Sequence, residues 1–139
     1  MTVVSKTIRV NTRGHCDMID ITGHVAKEIS VSEIKNGLAT IFITGSTAGI
    51  TTIEYEGGVL SDYKAMWERN VPSTIPYQHD QRWGDGNGYS HVRASLQGPS
   101  MVIPFVNKKM MLGTWQQIVI VDFDNRARSR EIVLQILGE

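Results

Sequence analysis

Residues 101–137 read MVIPFVNKKMMLGTWQQIVIVDFDNRARSREIVLQIL. Three β-rich runs follow one another here with only turns between them. Met101 to Val106 is the first, and Pro104 marks it as an edge strand or a bulge. Asn107-Lys108-Lys109 is a hairpin turn by composition, and Thr114 to Phe123 is a long strand. Asp124 to Ala127 turns the chain into a last strand, Arg130 to Leu137, where Ile132, Leu134 and Ile136 alternate with Glu131, Val133 and Gln135. Along the whole chain strands outnumber helices and do not alternate with them regularly. That order predicts an α+β chain with mixed or antiparallel sheets and excludes a doubly wound one.

The N-terminal part agrees. Val3 to Val10 reads as a strand, Asn11 to Gly14 as a turn and Met18 to Ile21 as a short apolar patch. Thr22 is placed to cap a helix over Gly23 to Ser30, with Val25 and Ile29 on its apolar stripe. Leu38 to Ile43 is a buried strand, and Ile50 to Tyr55 alternates again. Val59 to Arg69 has helical spacing, with Val59, Tyr63, Met66 and Trp67 on one face, and Pro72 and Pro76 stop it. A further helix runs from Asn87 or Gly88 to Leu96, ended by Gly98-Pro99. About three helices and a majority of strands fit a single domain over residues 1–139.

Lys+Arg and Asp+Glu both number 14, so the formal net charge is zero, which argues against nucleic-acid binding driven by counterion release. One cysteine, Cys16, excludes an internal disulfide and a multi-cysteine zinc site. No apolar run reaches membrane-span length, and the N-terminus lacks the apolar core of a signal peptide. A cytoplasmic protein with no membrane partner is expected.

The likeliest place for chemistry is Tyr77 to His91, YQHDQRWGDGNGYSH, read as a loop. It has three glycines within five residues and no aliphatic side chain, yet it carries Tyr77, Trp83 and Tyr89. His79 and His91 either share a site, as metal ligands or proton carriers, or are two separate hydrogen-bonded histidines. Glu54 and Asp62 flank the Gly57-Gly58 turn. They either point into a common cleft or, for Asp62, favour a helix N-terminus. Gly45 to Gly49, with Ser46 and Thr47, is either an anion-receiving turn or a bulge with satisfied hydroxyls. Gln116 can present an amide to a ligand beside Trp115, or Trp115 is core. Arg126, Arg128 and Arg130 alternate. They form a phosphate-gripping face or a charged, edge-protecting turn. In that reading Asp124 pairs with one arginine as an exposed ion pair. His15 and His24 have no partner pattern and read as surface residues.

Taken together these motifs resemble the YjbQ family of small, largely uncharacterised proteins, over almost the full chain. The most specific part is Gly113-Thr114-Trp115-Gln116-Gln117-Ile118, followed by the Asp122 to Arg130 turn. Ser46 to Thr51 with Glu54, Tyr77-Gln78-His79-Asp80, Ser90-His91-Val92 and Gly98 through Pro104 match further motifs in order. The resemblance implies an α+β fold assembled as a homotrimer, and a weak thiamine phosphate synthase activity credited to some members. It carries a catalytic set over to Glu54, Asp62, His79 and His91. A divalent metal (Mg or Zn) would sit on His79 and His91 with Glu54 or Asp62. A phosphorylated ligand would meet Ser46, Thr47, Asn87, Gln116, Arg126 and Arg128. The alternative is a non-catalytic trimer that binds a metal or a phosphate ligand. Many members have a histidine where this chain has Gly45, so Gly45→His is expected to restore a third ligand.

Overall fold

A computed structural model describes residues 1–139. The strands are β1 (Thr2–Thr12), β2 (Asp17–Asp20), β3 (Gly37–Ile43), β4 (Ala48–Ile53), β5 (Ser100–Val106), β6 (Lys109–Met110), β7 (Gln117–Asp122) and β8 (Arg128–Gly138). The helices are α1 (Thr22–Val31), α2 (Gly57–Asn70), α3 (Gln78–Trp83) and α4 (Gly88–Gln97). One sheet has the order β1-β8-β3-β5-β6 and the other β2-β7-β4, and every pair is antiparallel. The architecture is α+β, as expected, and the strands β7 and β8, successive in the chain, lie in different sheets.

β7 explains its own composition. Ile118 and Ile120 face the main core, where Ile41, Ile132 and Leu134 of the large sheet meet Val25 and Ile29 of α1. Val119 and Val121 face the other way, onto Trp67 of α2, Tyr89 and Ala94 of α4, and Phe123. A strand covered on both faces reads as an unbroken apolar run, not an alternating one. β8 alternates because only one of its faces is covered: Ile132, Leu134 and Ile136 are wholly buried, and Glu131 pairs at the surface with Arg9 at 2.6 Å.

The structure moves several boundaries for local reasons. Met18 to Ile21 is the strand β2, shifted by one residue and paired along β7. Thr22 is the first residue of α1, not its cap. Its hydroxyl donates to Asp20 Oδ1 at 2.6 Å and accepts from the Ile118 amide at 2.8 Å, tying the helix to β7. α2 begins at Gly57, because the Glu56 carboxylate accepts from the Gly58 and Val59 amides at 2.8 and 3.0 Å. Glu56, and not Asp62, is therefore the carboxylate at that helix N-terminus. β7 starts at Gln117, and Trp115 lies in the preceding turn, 72% exposed, so it is neither strand nor core.

The segment Tyr77 to His91 is not a loop throughout. α3 occupies Gln78 to Trp83, and Gly84 caps it in the left-handed region with φ 73°. Gly86 has φ 69°, while Gly88 opens α4, where a Cβ would lie 2.6 Å from the Tyr77 Cβ. The turn after β1 falls later than read, with Gly14, His15 and Cys16 in succession in the left-handed region. His15 and His24 are exposed, as expected.

Leu134 is fully buried at the centre of β8. Leu134→Ala is expected to lower the unfolding free energy by about 2–5 kcal/mol, read from urea denaturation, whereas Gln135→Ala on the open face should change it by no more than about 0.5 kcal/mol.

Candidate functional site

The site begins where β7 runs out. Its last residue, Asp122, and Asp124 two positions on are both fully buried. A buried carboxylate survives only with a cation and hydrogen bonds around it. β8, entering from the following turn, supplies them. Arg130 donates from Nε and Nη2 to the two oxygens of Asp122 at 2.7 and 2.9 Å, a bidentate fork. Arg128 Nε donates to Asp124 Oδ2 at 2.8 Å. Thr47, from the β3–β4 connection, bridges the two pairs: its hydroxyl accepts from Arg130 Nη2 at 2.6 Å and donates to Asp124 Oδ2 at 3.0 Å. Thr12 donates to Asp122, and Asn87, just before α4, donates to Asp124 Oδ1 at 3.2 Å. Burial disfavours the charged form of Asp124, but the hydrogen bonds from Asn87, the Asn125 amide, Thr47 and Arg128 outweigh it and hold its pKa below the usual carboxyl value.

Above this floor is an open cavity of about 480 Å³. Arg128, Arg130 and Thr47 form its base, Gly45 and Ser46 one rim, and His79, Trp83, Asp85, Asn87 and His91 the facing wall. His79 and His91 lie against each other, with ring centroids 4.4 Å apart at 40°. His79 Nδ1 is 3.4 Å from Asp80 Oδ1 and 3.3 Å from Asp85 Oδ1. Asp80 Oδ1 also accepts from the Gly88 amide at 2.8 Å, which joins α3 to α4 and sets the two histidines side by side. One donor atom each from His79, Asp80 and Asp85 lies within 4.8 Å of the others. One imidazole nitrogen and two carboxylate oxygens are a donor set that suits a divalent cation.

The floor is not saturated. Arg130 commits Nε and Nη2 to protein acceptors, and Arg128 commits Nε. Arg130 Nη1 and both terminal nitrogens of Arg128 hold no hydrogen bond in the chain. Arg130 Nη1 would lie 2.7 Å from a Cβ placed on Gly45, whose φ is +109°. This corrects the expectation for Gly45→His. A side chain at position 45 meets the Arg130 guanidinium and strains the backbone, so the substitution disturbs the arginine before it can supply a ligand.

Of the residues picked from the sequence, Gly45, Ser46, Thr47, His79, Asn87, His91, Arg128 and Arg130 line this one cavity. The others do not. Glu54 borders a different cavity with Asp20 and Trp115. Asp62 is exposed on α2. Gln116 accepts from the Gly113 amide at 3.0 Å and donates to the Thr52 hydroxyl at 3.1 Å, so its amide is spent on the turn. Arg126 is exposed, because the strand that would align it with Arg128 and Arg130 starts only at Arg128. Asp124 is a buried anchor, not a surface partner. The carboxylates beside the histidines in this chain are Asp80 and Asp85, which the sequence reading left out although both lie in the stretch it singled out. Asp122, the bidentate partner of Arg130, completes the set. Its signal was the end of an apolar run, with arginines four and eight residues on.

The family model described as UPF0047 protein YjbQ-like matches residues 6–139. The chain belongs to the YjbQ family. A YjbQ relative from Methanothermobacter thermautotrophicus, a UPF0047 protein, is 36% identical over 139 residues, covering 100% of this chain and 95% of that one. YugU of Bacillus subtilis is 32% identical over 134 residues, covering 96% and 98%. Among solved structures, a YbjQ-like protein of unknown function from Sulfolobus solfataricus superposes with a TM-score of 0.93 at 33% identity, covering 99% of both chains. An uncharacterised YjbQ/UPF0047 protein from Clostridium acetobutylicum gives 0.86 at 33% identity, covering 95% of this chain and 99% of that one. No helix of this YjbQ chain is long and apolar enough to cross a membrane.

Asp124 has its folded pKa lowered, so the stability from its ionised form is present above the unfolded value of about 3.9 and lost as pH falls through the folded value. Asp124→Asn is expected to be less stable at pH 7 and to lose less further stability on acidification below about pH 4, read from urea midpoints across pH.

Proposed function

We propose that this chain is a metal-assisted enzyme acting on phosphorylated small molecules at the His79/His91 cavity. The observation that carries the reading is the open floor. Arg130, held rigidly by Asp122, and Arg128, held by Asp124, turn unused guanidinium N–H groups into a cavity whose other wall includes His79 and Asp85, two members of the His79–Asp80–Asp85 triangle. Guanidinium groups fixed in advance suit the oxygens of a phosphate, and they need no reorganisation when negative charge develops there. A divalent ion on the triangle would supply Lewis-acid neutralisation of a leaving phosphate or pyrophosphate. His91, stacked on His79, carries or accepts a proton beside the reacting group. Ser46, exposed on the rim, offers a further hydroxyl.

The finer form of the proposal is thiamine phosphate synthesis. The ring nitrogen of a thiazole phosphate attacks the methylene carbon of a pyrimidine pyrophosphate, a C–N bond forms, the C–O bond breaks and pyrophosphate leaves. Arg128 and Arg130 would take the charge of the departing group. The chain is further proposed to act as a homotrimer. The outer face of the five-stranded sheet supports self-association, since Leu38, Phe42, Val102, Val106 and Leu137 are all exposed there.

Calorimetric titration is expected to show one divalent ion per chain. His79→Ala should weaken it by at least about tenfold. Arg128→Gln should weaken a simple phosphate ester by about tenfold and, because it leaves buried Asp124 without its cation, should also lower the unfolding free energy by about 3–5 kcal/mol. The two thiamine precursors should give thiamine phosphate and pyrophosphate with the wild type and neither with His79→Ala. Binding without product in the wild type would make the cavity a non-catalytic site. Absence of both ion and ester binding would refute the proposal. Light scattering at micromolar concentration should give the mass of three chains, and a monomer would contradict the assembly.

A further inference from the structure

On the other side of α4 from His91 is a small cavity of about 140 Å³, between α2 and the turn that carries Cys16. Its deepest polar group is Arg93, whose side chain is 4% exposed. Arg93 donates from Nε and Nη2 to the Val71 carbonyl at 3.0 and 2.8 Å, and from Nη2 to Glu68 Oε1 at 2.9 Å. The Tyr89 ring lies 4.9 Å from its guanidinium carbon. Nη1 has no acceptor. The side-chain atoms that lack a partner and are also sealed from solvent are Trp67 Nε1 and Asn87 Oδ1. Arg93 Nη1 is neither bonded nor sealed, and the small cavity is what this residue lines.

The charges around it do not cancel. Glu68 is the one carboxylate on the cavity, and both of its oxygens are engaged, Oε1 by Arg93 and Oε2 by the Ser73 amide and hydroxyl at 3.2 Å. The hydrogen bond from Arg93, ahead of those from Ser73, lowers the Glu68 pKa, so Glu68 stays charged and matched to Arg93. Lys64, one helical turn before Glu68, faces the same cavity without an ion-pair partner. Burial pushes the Cys16 thiol up to about 11, against Arg93 and Lys64, so it carries no negative charge near neutral pH. A fixed guanidinium edge, a free ammonium and no unmatched carboxylate remain around a space too small for a nucleotide.

We propose that this cavity is a second ligand site, separate from the histidine cavity, which binds a small tetrahedral oxyanion such as inorganic phosphate or sulfate through Arg93 Nη1 and Lys64 Nζ. It stands independently of the function proposed above. Arg93 and His91 are two positions apart on α4 and so project to opposite sides of it. The turn lining the small cavity also touches the floor of the large one, since the His15 amide donates to the Asp124 carbonyl at 2.6 Å.

The test is a phosphate titration followed by NMR on the isotopically labelled full chain, with chloride at equal ionic strength as the reference. The amides of Cys16 and Ser73 and the Nε–H of Arg93 are expected to move saturably with phosphate and not with chloride. Lys64→Gln removes an exposed side chain and should raise the dissociation constant by about two- to fivefold. Arg128→Gln should leave these shifts unchanged while altering those of His79 and His91. The site is overturned if the three signals follow chloride as they follow phosphate, or do not move. It is equally overturned if Lys64→Gln has no effect, or if Arg128→Gln abolishes the shifts while its amide spectrum remains that of the folded chain, since phosphate would then act from the histidine cavity.

Discussion

Two carboxylates at the end of β7, Asp122 and Asp124, are buried side by side and must be neutralised from within the protein. That need organises the surrounding structure. Arg130 and Arg128 must come from the start of β8, Thr47 from the β3–β4 connection, Asn87 from the entry to α4 and Thr12 from the end of β1. Five separate parts of the chain are thereby tied to one point. Removing either partner of such a pair costs about 3–5 kcal/mol, because it strands a charge in a medium that cannot solvate it. The arrangement is a poor way to gain stability compared with apolar packing, and its value is orientation. Each arginine is clamped on one edge and left open on the other.

The rest of the cavity follows from that clamp. α4 starts at a fixed place because Asn87 is fixed on Asp124 and Ser90 donates to the Phe123 carbonyl. α3 is then held to α4 through Asp80 and the Gly88 amide, which brings His79 onto His91. Two halves of different chemistry result, one able to hold a cation and one able to hold an anion. Gly45 belongs to the same arrangement. A side chain at that position would press on the open edge of Arg130, so glycine there keeps the arginine available to the cavity.

Much of the fold was legible because local pattern and global arrangement agree. The alternation of β8, the unbroken run of β7 and the Asn107-Lys108 turn, with both residues at positive φ, each predict their element. α3 was not legible: six residues with no buried side chain give no apolar periodicity, and what holds them is a carboxylate bond to the next helix. The site was legible in part. The histidines, Ser46, Thr47, Asn87, Arg128 and Arg130 declared themselves by residue type or by family resemblance. Asp122 did not, and Asp124 read as an exposed partner, because charged residues near a turn ordinarily read as solvated surface. Their burial depends on where β8 returns beside the end of β7, which is a tertiary fact. Glu54 and Asp62 failed for the converse reason, since closeness to a turn in sequence does not bring a carboxylate to the histidines.

In the proposed site one cavity holds a cation on one side and a phosphate on the other, both positioned by the Asp122 and Asp124 clamps. The most direct measurement is a crystal structure of the chain soaked with Mn²⁺ and a simple phosphate ester, with anomalous scattering recorded at the manganese edge. One anomalous peak bonded to His79, Asp80 and Asp85 is expected, with phosphate density against Arg130 Nη1 and the terminal nitrogens of Arg128. A manganese peak elsewhere with this triangle empty, or phosphate that avoids both arginines, would contradict it.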